Sequence, residues 1–309
     1  MPYFDGADGR VYYKHWASWT PRATVVFLHG FGEHSGLYHR LGHALGASGI
    51  ELWALDEIGH GLSDGDRAVI RSVDDLVENG RRLTAIALEA APQLPVFLAG
   101  HSLGSVAVAV AATRDPAPYR GLVLSGAALS PLDWVVELAG AGNDAELALD
   151  PSDLSSDPFY LDELENDPLA FTSAAGAHSL VSVLPPAWEE LERGFADVSL
   201  PVLFVHGADD PVAPVDLTRR WSARLPDGRI EAFAGARHDV LNEHVHRDVA
   251  AAIVDFVAAV TAVPDNTDST GRTDSTDSTG RTDNTDNTDR TDNTGRADST
   301  GRGALAASR

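Results

Sequence analysis

The chain has 309 residues, 43% of them hydrophobic, and a formal net charge of −23. That length supports one large buried core, and the acidic balance argues against nucleic acid and anionic lipid surfaces as partners, because both demand a basic face. The absence of cysteine excludes disulfides, cysteine-ligated zinc and a thiol nucleophile.

Met1 to Arg10 is polar and lacks the basic start and apolar run of a secretory signal. Strands are then predicted over 11–16 and 24–29, a helix over 38–47, a strand over 51–54, and a helix over 73–88 that Ser72 is placed to cap. A strand over 96–99, a helix over 103–112 and a strand over 121–124 follow. After an interruption over 127–195, the alternation resumes with strand 202–206, helix 215–223, strand 229–233 and helix 248–260. Such alternation predicts an α/β fold, a mainly parallel sheet with helices on both faces. The interruption is too long for a plain connection and carries helical stretches of its own at 132–138 and 186–193, so it is expected to form a helical lid insertion over the carboxyl ends of the strands.

The most apolar segment, Val249 to Val263, is broken by Asp255 and falls short of the roughly 20 residues of a spanning helix. A soluble cytoplasmic protein is the expectation. Beyond Val263 the chain repeats Thr-Asp-Ser or Thr-Asp-Asn punctuated by Gly-Arg, as in Thr273 to Arg281 and Thr282 to Arg290. With so little to bury, residues 264–309 are expected to be a disordered low-complexity tail. Nothing in the sequence sets an oligomeric state.

Three short stretches carry chemistry. Gly100-His101-Ser102-Leu103-Gly104 stands between a predicted strand and a predicted helix, where a sharp turn lifts a serine hydroxyl out of the sheet. Gly207-Ala208-Asp209-Asp210-Pro211 and Arg237-His238-Asp239 each follow a later strand, giving the order serine, acid, histidine. Ser102 needs a base to remove its proton as it attacks a carbonyl, and His238 has the right basicity near neutral pH. An aspartate on the other ring nitrogen would fix the tautomer. Asp209 and Asp210 are adjacent, and in an extended segment only one of them can face His238. The backbone N–H of Leu103, next to the nucleophile, is one candidate oxyanion donor. No metal-ligating spacing such as H-E-x-x-H is present, and no metal or cofactor is expected. The remaining histidines are read as loop-orienting groups, and His244 and His246 as solvent-facing.

Two further segments are specific: His29-Gly30-Phe31-Gly32-Glu33-His34-Ser35-Gly36, and Asp56-Glu57-Ile58-Gly59-His60-Gly61-Leu62-Ser63-Asp64-Gly65. Together with the three stretches above and with Asp167-Pro168-Leu169 in the insertion, they make residues 1–263 resemble the monoacylglycerol lipase and lysophospholipase branch of the α/β-hydrolase superfamily. The chain departs from that pattern at Ser105, where a second glycine is usual, and at Leu37, where many relatives carry arginine.

The resemblance implies an α/β-hydrolase fold and selects Asp210 as the triad acid, a choice to which Pro211 adds by favouring extended backbone before it. It also implies Phe31 as the second oxyanion donor, through its amide. Glu33 is read either as bonded within its loop or as lining the alcohol side of the pocket. Trp134, with Val135, Val136 and Leu138, either presents an apolar edge to a lipid aggregate or packs inward. The reaction implied is ester hydrolysis through an acyl-enzyme at Ser102, with a monoacylglycerol as substrate. A lysophospholipase, a general short-chain carboxylesterase, and a ligand-binding protein that kept only the fold are the alternatives.

Overall fold

The computed structural model describes residues 2–141, 146–175 and 178–262. The tail expected over 264–309 lies outside the described residues. In chain order, the elements begin with β1 (Tyr3–Gly6), β2 (Gly9–Trp16) and β3 (Ala23–Leu28). Then come α1 (His39–Ala47), β4 (Ile50–Leu55), α2 (Val73–Ala90), β5 (Val96–His101), α3 (Leu103–Arg114) and β6 (Gly121–Ser125). The insertion contains α4 (Asp133–Ala141), β7 (Glu146–Ala148), α5 (Pro151–Leu154), α6 (Pro158–Asn166), β8 (Ser173–Ala175) and α7 (His178–Gly194). The chain returns through β9 (Val202–Gly207), α8 (Val215–Arg224), β10 (Gly228–Phe233) and α9 (His246–Thr261).

Eight strands form one sheet in the order β1-β2-β4-β3-β5-β6-β9-β10, parallel from β4 through β10. The antiparallel β1–β2 hairpin at the edge is the strand pair the sequence reading half missed, since Tyr3–Gly6 is polar on its outer face and short. The inner strands are buried on both faces. Val26, Leu28, Leu98, Leu122, Leu124 and Phe204 point into a core shared with α2, α3 and α8. Their neighbours Val25, Phe27, Phe97, Val123 and Leu203 point to the opposite core, against α1 and α9. This period-2 partition over two apolar faces is why the strands read as continuous apolar runs instead of alternating ones.

Local signals set the helix starts. Ser72 accepts the Asp75 N–H at 3.2 Å, capping α2 as predicted. The predicted helix 38–47 is present as α1, preceded by a 3₁₀ turn at Ser35–Tyr38 that the His34 side chain caps by accepting the Gly36 N–H. The helix predicted at 186–193 begins much earlier, at His178, and carries Pro185 and Pro186 inside it. No helix among the described residues is long and apolar enough to cross a membrane.

Because β5, β9 and β10 run parallel, the turns after them open at the same edge of the sheet. That is where open α/β sheets gather reactive groups.

Candidate active site

Ser102 sits between β5 and α3 with φ +50° and ψ −116°, a strained conformation that a non-glycine residue adopts only when its surroundings enforce it. Two glycines enforce it here. A Cβ at Gly100 would lie 2.4 Å from the Gly104 carbonyl oxygen, and one at Gly104 would lie 2.1 Å from that of Leu28. The helix therefore starts in contact with the ends of both β5 and β3, and the serine is pushed outward.

His238, on the loop after β10, lies 2.9 Å from Ser102 Oγ through Nε2 and 2.8 Å from Asp210 Oδ2 through Nδ1. A carboxylate can only accept, so Nδ1 carries the ring proton and Nε2 is free to accept from the serine. Asp210 is buried, and its other oxygen accepts the N–H groups of Val212 and Ala213 at 2.8 and 2.9 Å. Asp209 turns outward, where its side chain accepts the Gly235 N–H at 3.1 Å. Of the two adjacent aspartates, Asp210 is the one that reaches His238. Burial alone would raise the Asp210 carboxyl, but the His238 and His206 rings outweigh it and hold it below the ordinary carboxylate range. Burial likewise acts to lower the His238 imidazole, and the Asp210 charge overrides it, with Asp239 and Glu33 adding, so that the ring is raised above its ordinary value.

His206, one of the histidines read as loop-orienting, does orient a turn beside the triad. It ends β9 fully buried, with Nε2 3.0 Å from Asp210 Oδ2 and 2.7 Å from the Ala213 carbonyl oxygen. It fixes the turn that presents Asp210.

Leu103 opens α3, where no intrahelical carbonyl is in reach of its N–H. Phe31 lies on the loop after β3. Its flank is held by Glu33, whose Oε2 accepts the Gly30 N–H at 2.8 Å and the Tyr38 hydroxyl at 2.5 Å. Glu33 braces the loop and is also among the residues lining the cavity beside Ser102. Tyr160, from α6, lies 2.9 Å from Glu33 Oε1 and 2.7 Å from Asp239 Oδ2, while His101 joins Asp239 Oδ1 at 2.9 Å and Ser125 Oγ at 3.0 Å. Tyr160 escaped the sequence reading because the turn-rich insertion gave no pattern from which to place it. His101, His238 and Asp239 have potential ligating atoms within 4.8 Å of one another, and each already has partners inside the protein.

On the far side of the same loop, Glu57 donates its backbone N–H to His29 Nε2 at 2.9 Å, and its side chain is buried. Burial, with Asp56 and Asp75 adding and a hydrogen bond from Asn79 opposing, pushes that carboxyl up to about 8. Burial, together with the nearby His29, pushes His60 down to about 3, so its ring is neutral.

A cavity opens over Ser102. One wall is apolar and comes from the insertion: Leu132, Trp134, Leu149, Leu154, Leu180 and Leu184. Glu33, His101 and Asp239 are the polar groups that line the cavity beside the Ser102–His238 pair. Trp134 faces this cavity, fixed by its indole N–H on the Val212 carbonyl at 3.0 Å, while Val135 is buried and Val136 is exposed. The apolar stretch is therefore divided between inward and outward faces. Leu37 packs in the core under the loop, so the position offers no polar contact to a ligand. Ser105 is buried, its hydroxyl donating to the Ser102 carbonyl at 2.5 Å. His244 is exposed as expected, whereas His246 is half-buried, with Nδ1 2.9 Å from the Glu243 carbonyl oxygen and 3.5 Å from Arg40.

A parallel sheet with a strained serine, a histidine and an aspartate at the carboxyl ends of three of its strands defines a serine hydrolase of the α/β-hydrolase fold. The family model Hydrolase_4, described as serine aminopeptidase S33, matches residues 20–245, and the chain belongs to that family. It is an enzyme, a serine ester hydrolase. The monoacylglycerol lipase of Mycolicibacterium smegmatis is 34% identical over 253 residues, covering 78% of this chain and 90% of that protein. The human monoglyceride lipase is 29% identical over 256 residues, covering 77% and 83%. Among solved structures, a monoacylglycerol lipase from Paleococcus ferrophilus superposes with a TM-score of 0.66 at 28% identity, over 81% of this chain and 99% of that one.

Proposed function

We propose that the enzyme hydrolyses monoacylglycerols to fatty acid and glycerol, with Ser102 as nucleophile, His238 as base and then acid, and Asp210 as the group that orients His238. The observation that carries this reading is a cavity lined by apolar side chains of the insertion, which suit one acyl chain, and by a few polar groups, which suit a small alcohol, over a serine in hydrogen-bond reach of its base. The relatives named as monoacylglycerol and monoglyceride lipases support the same substrate class.

Ser102 Oγ attacks the ester carbonyl carbon as its proton passes to His238 Nε2. The carbonyl oxygen gains charge and takes hydrogen bonds from the Leu103 and Phe31 amides, which need not reorganise to receive it. The imidazolium, stabilised by Asp210, then protonates the leaving glycerol oxygen as the C–O bond breaks. Water, losing a proton to His238, attacks the acyl-enzyme, and the fatty acid leaves as Ser102 recovers its proton. The insertion acts as a lid that keeps the acyl chain out of water.

The family description names an aminopeptidase, a reaction that needs a carboxylate free to pair with an amino terminus. Here Glu33 already accepts from Gly30 and Tyr38, Asp239 pairs with His101, and the one Tyr160 hydroxyl lies between the two carboxylates. The reading is tested with a panel of esters on the purified enzyme. Each buried methylene contributes about 0.8 kcal/mol, so kcat/KM should climb with acyl length until the cavity fills, and monoacylglycerols of medium or long chain should exceed both acetates and triacylglycerols. Equal rates on monoolein and triolein, or a preference for acetate, would leave only a general esterase.

A further inference from the structure

The stretch Asp167 to Phe171, between α6 and β8, grips the loop that carries the Phe31 amide. Asp167 Oδ2 lies 3.0 Å from His34 Nε2. Arg67, exposed on the loop after β4, donates to the carbonyl oxygens of Pro168 and Ala170, both at 3.1 Å, and its guanidinium lies 4.7 Å from the centre of the Phe171 ring. The Phe171 N–H donates to the Gly32 carbonyl at 2.8 Å. Its ring meets that of Phe31 edge to face at 5.4 Å and lies 5.1 Å from His60. This approach depends on Gly32, whose φ is +85° and where a Cβ would stand 2.1 Å from the Phe171 carbonyl oxygen.

The Phe31 amide therefore lies between two anchors. Glu33 holds Gly30 on one side, and Phe171 holds Gly32 and the Phe31 ring on the other. A loop with glycine on both sides of residue 31 has much backbone freedom to lose, and a donor stabilises an oxyanion only if that freedom has been removed beforehand. Phe171 is not among the residues lining the cavity, so it has no direct call on substrate.

We propose that Asp167 to Phe171 is a latch by which the insertion sets the oxyanion donor, and that Phe171 and Arg67 are positioning residues for the hydrolysis. The proposal rests on the reading of the Phe31 amide as that donor. Seating the insertion then assembles the acyl wall and the oxyanion site in one step, so that bond cleavage awaits a closed pocket.

The test uses the full chain with Arg67→Ala, Phe171→Ala and Phe171→Tyr. It measures kcat and KM on a soluble monoacylglycerol, the Ki of a trifluoromethyl ketone that forms a reversible adduct with the serine, and the melting temperature. Phe171→Ala should lower kcat roughly ten- to hundredfold, short of the roughly 10²–10³ for losing a donor outright, and Arg67→Ala about three- to tenfold. Ketone affinity should fall by the same factors, with KM within about twofold, and Phe171→Tyr should restore most of the kcat. A raised KM with kcat and ketone affinity unchanged would overturn the latch, as would kcat losses that merely follow the unfolded fraction. A wild-type enzyme that binds the ketone no better than Ser102→Ala would overturn the parent reading, a result distinct from any difference among the latch variants.

Discussion

The Asp210 carboxylate and the His238 ring meet at 2.8 Å with Asp210 held from behind by two backbone amides, while Asp209 faces solvent. Asp210→Asn should leave the fold intact but present an amide able to donate to Nδ1, favouring the wrong tautomer, and kcat should drop by about 10⁴-fold. Asp209→Asn should remain within about twofold of wild type, since it alters one exposed loop contact. Steady-state kinetics on any chromogenic ester decides the ranking, and the reverse order would move the acid to Asp209.

Only neutral His238 can take the serine proton. Burial acts to lower that ring, but the Asp210 charge, with Asp239 and Glu33, raises it above the ordinary imidazole value of about 6.5. The acid limb of the kcat/KM profile is therefore expected on the alkaline side of that value. Asp239→Asn or Glu33→Gln removes negative charge facing the ring, so the limb should move to lower pH. A limb unmoved by either change would mean that these carboxylates do not reach His238 electrostatically.

Glu57 supplies a stability signature of opposite pH sense to that of most carboxylates. Its folded value of about 8 lies above its unfolded one, so the folded state holds the proton more tightly. The contribution is full below the unfolded value and is lost as pH rises through about 8. Glu57→Gln mimics the protonated form and should flatten the fall in melting temperature between about pH 5 and 9. Parallel wild-type and variant curves would show that Glu57 is ionised in the folded protein.

At the start of α3 there is no room for a methyl group, because the Leu28 and His29 carbonyl oxygens at the end of β3 would be 2.1 and 2.7 Å away. Gly104→Ala should cost on the order of 3 kcal/mol and displace Ser102. By contrast, Ser105→Gly removes two hydroxyl bonds, one to the Ser102 carbonyl and one from the Ala128 N–H, and should cost about 2 kcal/mol. Urea midpoints of the two variants measure the difference.

The sequence disclosed what is local. Apolar runs marked the inner strands, Ser72 marked its helix, and the glycines around Ser102 marked a turn whose tightness the Gly100 and Gly104 contacts explain. It could not disclose what depends on long-range approach. Tyr160 reaches Glu33 and Asp239 from 127 and 79 residues away, and Phe171 docks on Gly32 through backbone atoms that leave no mark in a residue pattern. The neighbouring Asp167-Pro168-Leu169 triplet carried a family resemblance without marking what it contacts. The extra edge strand Tyr3–Gly6 was missed because a short hairpin arm needs few apolar residues.

The central claim is that Ser102 carries the acyl group of a monoacylglycerol between two half-reactions. Its most direct test is rapid acid quench of enzyme with monoolein, followed by mass analysis of the intact protein and of its peptides. The account predicts a transient gain of one oleoyl group on the peptide containing Ser102, absent in Ser102→Ala, with turnover in that variant lower by several orders of magnitude. Oleate release at undiminished rate from Ser102→Ala, or an adduct on another residue, would contradict it.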